Sequence, residues 1–294
     1  MMAGSITLDT VGEARNFLRQ MYDSVRLVDP VGKRILEYLD GKLRDTGSAC
    51  YDYWQCGRIC DHCISVRACR ENKSFVKLEY APGKIMLVAA LPVASGQDPV
   101  VLELLKDVTE TLTIGRGMSD AGRPLQEAVR DYNDLAVKDG LTSLYNRRFL
   151  DERLPVDIEA AAAAGRPLSV IFLDIDNMKA VNDTFGHVAG DEAIRRAAET
   201  IQSCVRPESG WAARYGGDEF FVCLSGVDLA AAQRVAERIQ REFENLPPLR
   251  AGGLRLSVSQ GAAAMPEGGC AAEELLRLSD GKMYEQKRKK KREG

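Results

Sequence analysis

Arg214-Tyr215-Gly216-Gly217-Asp218-Glu219-Phe220-Phe221 is the stretch on which the reading of this chain turns. Residues 210–214 before it and 220–224 after it are apolar enough to form two strands. A glycine pair readily supplies the positive φ that tight hairpin turns need, so Gly216-Gly217 predicts a β-hairpin. Asp218 and Glu219 then stand at a turn whose missing side chains let a bulky ligand approach the backbone closely. Taken alone, the same pattern also suits an ordinary hairpin with solvated acids.

A second segment, roughly forty residues upstream, narrows the choice. Residues 168–173 form a continuous apolar run, which predicts a buried strand, and the run ends in Asp174-Ile175-Asp176. An acid at the end of one strand and an acid at a neighbouring hairpin can converge on one divalent cation. Hard oxygen ligands in that number suit Mg²⁺, which one or two carboxylates hold and substrate phosphates complete. Residues 177–190 add Lys179, Asn182 and Asp183, then Gly186-His187 and Gly190-Asp191. Cations, amides and small residues beside such a site fit a nucleotide, so the two segments point to phosphoryl or nucleotidyl transfer.

Five signatures in order carry a family resemblance. They are Asp-Gly-Leu-Thr-Ser-Leu-Tyr-Asn-Arg-Arg at 139–148 and Phe-Leu-Asp-Ile-Asp-Asn-Met-Lys at 172–179 with Asn182-Asp183, Gly186-His187 and Gly190-Asp191. The hairpin motif at 214–220 follows, then Ser-Val-Ser-Gln-Gly at 257–261 with Pro266, and Asp-Gly-Lys-Met-Tyr at 280–284 with Lys287. From Asp139 onward the chain resembles the GGDEF family of diguanylate cyclases. The resemblance implies an α/β (α+β) palm-like nucleotide-cyclase domain that joins two GTP into cyclic di-GMP and releases two pyrophosphates. It implies that Asp174 and Asp218 supply metal carboxylates and that the Ile175 carbonyl is a further ligand. The metal would be Mg²⁺ or Mn²⁺, two ions per active site. Glu219 either faces the metal or helps deprotonate the attacking hydroxyl. Gly216 and Gly217 let the substrate approach, Lys179 and Lys287 match phosphate contacts, and Asn182 and Asp191 match the guanine readers. A carboxylate at Asp191 agrees with that role, because it accepts from the N1–H and N2–H₂ of guanine and would be repelled by N1 of adenine. Because one site holds one GTP, catalysis implies a homodimer.

Two departures from the family pattern stand out. Lys291 occupies a place where the family often has Arg, which keeps a point charge and loses a planar fork. The product-inhibition site, an Arg-x-x-Asp in the family, corresponds here to Pro207 and Gly210, neither of which can bind product through its side chain. Two other functions compete with an active cyclase. A degenerate GTP or cyclic-dinucleotide effector would show a damaged hairpin motif or a retained inhibition site. A relaxed cyclase making cyclic GMP-AMP would replace the acid at Asp191.

The rest of the chain sets the frame. At 294 residues it is long enough for two domains. A net charge of −3 gives no bulk attraction to nucleic acid or anionic membrane, and no run approaches the roughly 18 apolar residues of a span. With no basic, apolar leader at the N-terminus, a cytoplasmic protein is expected. The boundaries are read as 1–113 for a sensory domain, 114–138 for a linker and signalling helix, and 139–294 for the catalytic domain.

Helical spacing predicts an amphipathic helix over 10–22, and strands are expected at 25–28, 34–38, 74–80, 84–93 and 100–108. Two strands, an irregular insert and three more strands resemble the order of a PAS sensor. Val-Asp-Pro-Val-Gly-Lys at 28–33 and Leu-Leu-Lys-Asp-Val-Thr at 104–109 resemble PAS openings and endings. Five cysteines, Cys50, Cys56, Cys60, Cys63 and Cys69, crowd into the insert, and Cys60-x-x-Cys63 has the spacing of a two-thiolate knuckle. Structural Zn²⁺, an iron centre, a thiol switch and plain buried thiols are all open for this cluster. In the helix expected over 124–138, Leu125, Val129, Tyr132 and Ala136 share one face at coiled-coil spacing. That face either transmits a dimer geometry or packs on its own domain. The basic run at 287–292 reads as a solvated tail apart from Lys287.

Overall fold

The computed structural model describes residues 6–55, 59–81, 83–96, 99–112, 125–249 and 255–293. Residues 113–124, which include the expected linker, lie outside that set. The chain forms two compact units, Met1–Ala136 and Val137–Gly294.

The N-terminal unit is built on an antiparallel sheet of six strands. In chain order these are β1 (Ser24–Asp29), β2 (Arg34–Leu39), β3 (Lys42–Ala49), β4 (Phe75–Ala81), β5 (Lys84–Val93) and β6 (Val100–Asp107), arranged β3-β2-β1-β6-β5-β4. Helix α1 (Leu8–Met21) starts at a Thr7 cap, whose Oγ1 accepts from the Thr10 N–H at 3.3 Å. It packs Val11 on one face of the sheet, against Leu27, Val93, Val100, Leu102 and Leu104. Helix α2 (Ile64–Glu71) covers the other face with Ile64 and Ala68, against Met86, Val88, Ala90, Val101 and Leu105. Successive residues of β6 point to opposite faces, and with both faces covered residues 100–105 are buried without a break. Glu103, on the α2 side, is buried with its charge matched by Arg26 at 2.7 Å and its other oxygen bonded by the Ser65 hydroxyl.

The segment expected to be irregular carries structure. β3 pairs with β2 across a turn at Asp40 and Gly41, both at positive φ (52° and 73°). A short 3-10 turn (Cys50–Trp54) and α2 follow. Helix α3 (Leu125–Val137) buries Val129 against Ile85 and Val108 and donates from Asn133 Nδ2 to the Leu78 carbonyl at 3.1 Å. The Val129 position of the expected seam is therefore covered inside this unit.

The C-terminal unit is a four-stranded antiparallel sheet under helices, the mixed α and β architecture expected. Its strands β7 (Leu168–Ile175), β8 (Gly210–Gly216), β9 (Glu219–Ser225) and β10 (Val258–Ala264) run in the order β10-β7-β9-β8. Its helices are α4 (Arg147–Ala163), α5 (Met178–Phe185), α6 (His187–Cys204), α7 (Leu229–Asn245) and α8 (Ala272–Glu293). Central β7 is buried along its whole length, and its side chains share a core with Ala193, Ala197 and Ile201 of α6 and Ala236, Ile239 and Phe243 of α7. Side-chain oxygens of Asn146 and Asp228 cap α4 and α7.

Candidate active site

The hairpin forms, with its turn displaced by one residue. β8 runs through Gly216, which pairs with Glu219, so the turn is Gly217-Asp218 and not Gly216-Gly217. A register irregularity between Arg214 and Gly216 takes up the extra residue, and only Gly217 needs positive φ, at 50°. Arg214 fastens the turn from below. Its Nε and Nη2 donate to the Gly217 carbonyl at 2.9 and 2.8 Å, and its Nη1 pairs with Asp139 at 3.1 Å. Asp139 in turn accepts from the Thr142 hydroxyl at 2.8 Å. Sequence reasoning placed Arg214 and Asp139 in signatures without seeing that they form one brace.

Strand pairing brings the acids together. Asp174, at the buried end of β7, lies directly opposite Glu219, and the Ile175 N–H donates to the Asp218 carbonyl at 3.1 Å. From α8, Lys287 Nζ reaches Asp174 Oδ1 at 2.5 Å. Burial pushes the Asp174 carboxyl above its ordinary value, Lys287 opposes this, and the nearby Asp218 and Asp176 charges add to it. Burial also raises Glu219, followed by the Asp174 and Asp218 charges. Burial disfavours the charged Lys287, but Asp174, with Asp218 and Asp176, more than compensates and holds its pKa up. Crowded acids whose ionisation is mutually opposed fit a hard divalent cation, which would relieve them all. Among the described residues no three His, Cys, Asp or Glu side chains converge as a ready-made cage. A cation here would be held by one or two carboxylates with substrate oxygens.

Asn182 and Asp191 form a second group, carried by α5 and α6, which join at Gly186 (φ 80°). A Cβ on Gly190 would stand 2.0 Å from Asn182 Oδ1, so the absent side chain is what admits Asn182 against α6 at Gly190, the residue before Asp191. Lys179 is exposed in the first turn of α5.

Asp176 and Lys290 were missed. Asp176 accepts from Ser259 Oγ at 2.6 Å, Ser257 Oγ at 2.8 Å and Lys290 Nζ at 2.8 Å. Lys290 is therefore no part of a solvated tail. The available signal was the spacing of Lys287 to Lys290, one helical turn, against that of Asp174 to Asp176, one strand repeat.

In the N-terminal unit, Cys50 is buried and its thiol is pushed up to about 12 by burial, then by Glu103 and Cys63, against Lys33 and Arg26. Burial raises Cys60 as well, with Cys63 as its next neighbour. Cys69 packs from α2 against the sheet core, His62 gives its backbone carbonyl to Lys77 at 2.7 Å, and Cys56 lies outside the described residues.

The strand order, the braced hairpin and the acids facing a lysine form one polar site at the strand ends of an α+β sheet domain. The family model "Diguanylate cyclase, GGDEF domain" matches residues 136–293, more than half of the chain, and the chain belongs to the GGDEF family. The response regulator PleD of Caulobacter vibrioides is 40% identical over 157 residues, which cover 52% of this chain and 34% of PleD. The probable diguanylate cyclase DgcT of Escherichia coli is 36% identical over 163 residues, 54% of this chain and 35% of DgcT. The chain thus spans about a third of the length of these curated relatives. Among solved structures, the coiled coil and GGDEF domain of DgcB from Caulobacter crescentus in complex with c-di-GMP matches with a TM-score of 0.52 and 30% identity. That match covers 56% of this chain and 87% of the DgcB chain. No described helix is long and apolar enough to cross a membrane.

Proposed function

We propose that this chain is a diguanylate cyclase that condenses two GTP into cyclic di-GMP with release of two pyrophosphates. The observation that carries the reading is the meeting of Asp174, Asp218 and Glu219 at a glycine turn under Lys287. Asp174 and Asp218, with the Ile175 carbonyl, would hold Mg²⁺ or Mn²⁺. When bound, the ions lower the pKa of the attacking 3′-hydroxyl and neutralise the pyrophosphate leaving group. Lys287 and Lys179 counter charge on the β- and γ-phosphates, and Gly216 and Gly217 leave the hairpin backbone open to the nucleotide. Asn182 and Asp191 read the guanine edge. Glu219, raised toward neutrality by burial and by Asp174, is suited to accept the hydroxyl proton. One site takes one GTP, so two copies must face each other, and the active species is a homodimer.

The proposed organisation is a PAS-like sensor at 1–113, a signalling helix within 114–138 and the catalytic domain at 139–294. Support for the sensor is a separate N-terminal core with its own sheet, and α3 lying on that sheet through Val129. The cyclase reading is tested by incubating the protein with Mg²⁺ and a mixture of GTP and ATP and identifying products by mass spectrometry. Cyclic di-GMP alone is expected. Cyclic GMP-AMP would show relaxed base reading, and no product would point to an effector. Asp218→Ala, at a turn and not in the core, should fold normally and make no product. Substantial synthesis by that variant would remove Asp218 from the mechanism.

A further inference from the structure

Asp174 and Asp176 lie one strand repeat apart at the end of β7, and Lys287 and Lys290 lie one turn apart on α8. The two pairs meet as a ladder, Lys287 on Asp174 at 2.5 Å and Lys290 on Asp176 at 2.8 Å. The rungs are built differently. Asp174 takes one described side-chain hydrogen bond, from Lys287. Asp176 is filled on both oxygens, Oδ1 by Ser259 and Oδ2 by Ser257 and Lys290, and its N–H donates to the Ser257 carbonyl at 2.9 Å. Lys290 donates in addition to the Val258 carbonyl at 2.6 Å. Three donors leave Asp176 at most one of its roughly four acceptor sites for a ligand, and Lys290, tied to a carboxylate and a carbonyl, keeps a single N–H. The first rung rests on a single bond, and the second on several.

We propose that Lys290 and Asp176 are positioning residues, a fixed ion pair that locks the last turns of α8 onto β7 and β10 and so aims Lys287 at Asp174 and at the phosphates of the nucleotide. The proposal rests on the cyclase reading. It gives Asp176 a task distinct from that of Asp174, although the two acids belong to one Asp-Ile-Asp run.

The test compares wild type with Lys290→Met, Lys290→Arg, Lys287→Met and the double variant Lys287→Met/Lys290→Met. Turnover of Mg-GTP is measured, together with calorimetric binding of a non-hydrolysable GTP analogue. Lys290→Met should raise both KM and the analogue Kd about tenfold, the effect of misplacing one charged contact, with kcat within roughly threefold of wild type. Lys290→Arg, which keeps the charge and the reach, should restore most of the affinity. In the Lys287→Met background the same Lys290→Met change should add less than about twofold, because a residue acting through Lys287 has nothing left to aim. Wild-type affinity in Lys290→Met, a loss confined to kcat, or a full further tenfold loss in the Lys287→Met background would each overturn the proposal. If Lys290→Met does not fold, Lys290→Gln, which can still donate to the Val258 carbonyl, takes its place under the same criteria. A wild type that neither binds the analogue nor turns over GTP would overturn the cyclase reading itself. An active wild type with an indifferent Lys290 would overturn only the positioning role.

Discussion

Burial pushes both Asp174 and Asp176 toward the neutral form, yet the two end on opposite sides of the ordinary carboxylate value. For Asp176 the bonds from Lys290, Ser259 and Ser257 outweigh burial and depress the pKa. Its contribution to stability is therefore present above the unfolded value, about 3.9, and lost as pH falls through the lower folded value. For Asp174 and Glu219 burial wins, aided at Asp174 by the Asp218 and Asp176 charges and at Glu219 by those of Asp174 and Asp218. An acid raised on folding works in the other sense: its ionised form costs stability once pH rises past the unfolded value, about 4.3 for Glu. Glu219→Gln should accordingly melt higher than wild type at pH 7 by less than about 1 kcal/mol, since the group is partly open to solvent. The gain should vanish in melts near pH 4, and turnover should fall at the same time. A variant that melts lower at pH 7 would show that Glu219 holds the fold together and does not strain it.

At the scale of elements, the site depends on how closely α8 lies on β10. A Cβ built on Gly261 of β10 would stand 2.1 Å from the Ser279 carbonyl oxygen and 2.3 Å from the Met283 nitrogen. Both neighbours are helix backbone, which cannot rotate aside as a side chain could. Gly261→Ala must therefore lift the helix, at a cost of about 2–3 kcal/mol by the usual scale of overpacking. Because α8 carries Lys287, the variant should lose turnover in proportion to the displaced helix, even below its unfolding midpoint. Denaturant titration and a cyclase assay on the same sample would check both, and unchanged stability would mean that the sheet yields elsewhere. Gly190 does the same for α5 and α6 on a smaller scale, by admitting the Asn182 side chain.

At the scale of the molecule, the question is how output is limited. Pro207 and Gly210 stand where the family's product-binding Arg and Asp would be, at the entry to β8. The Gly210 N–H donates to the Arg206 carbonyl at 3.0 Å, and a Cβ there would lie 2.4 Å from the Cys223 carbonyl oxygen. The backbone itself leaves no room for an acid. Cyclic di-GMP at micromolar concentration, corresponding to a site of about 8 kcal/mol, should leave the rate unchanged. Strong non-competitive inhibition would reveal a product site built from other residues.

Much of the candidate site was legible because its signals are local. The apolar run of β7 ends at Asp174, a glycine turn precedes Glu219, and apolar flanks make the strands that hold them. Each of these is a property of a few neighbouring residues. The third strand was not read: Asp40-Gly41 is a hairpin signal, but the exposed side chains of β3 show no apolar alternation and the segment reads as irregular. Its ladder with β2 is held by backbone groups, on which the sequence is silent. The one-residue shift of the hairpin turn also escaped, because the irregularity at Arg214 and Gly216 depends on how the chain is paired across the strand. Lys290 shows the limit most clearly. In the chain it is one cation in a basic run, and its partner Asp176 lies 114 residues away. The sequence by itself determined which groups could do the chemistry. Which lysine faces which acid was decided only when α8 lay down on Gly261, because a contact between distant residues depends on the path of the backbone between them.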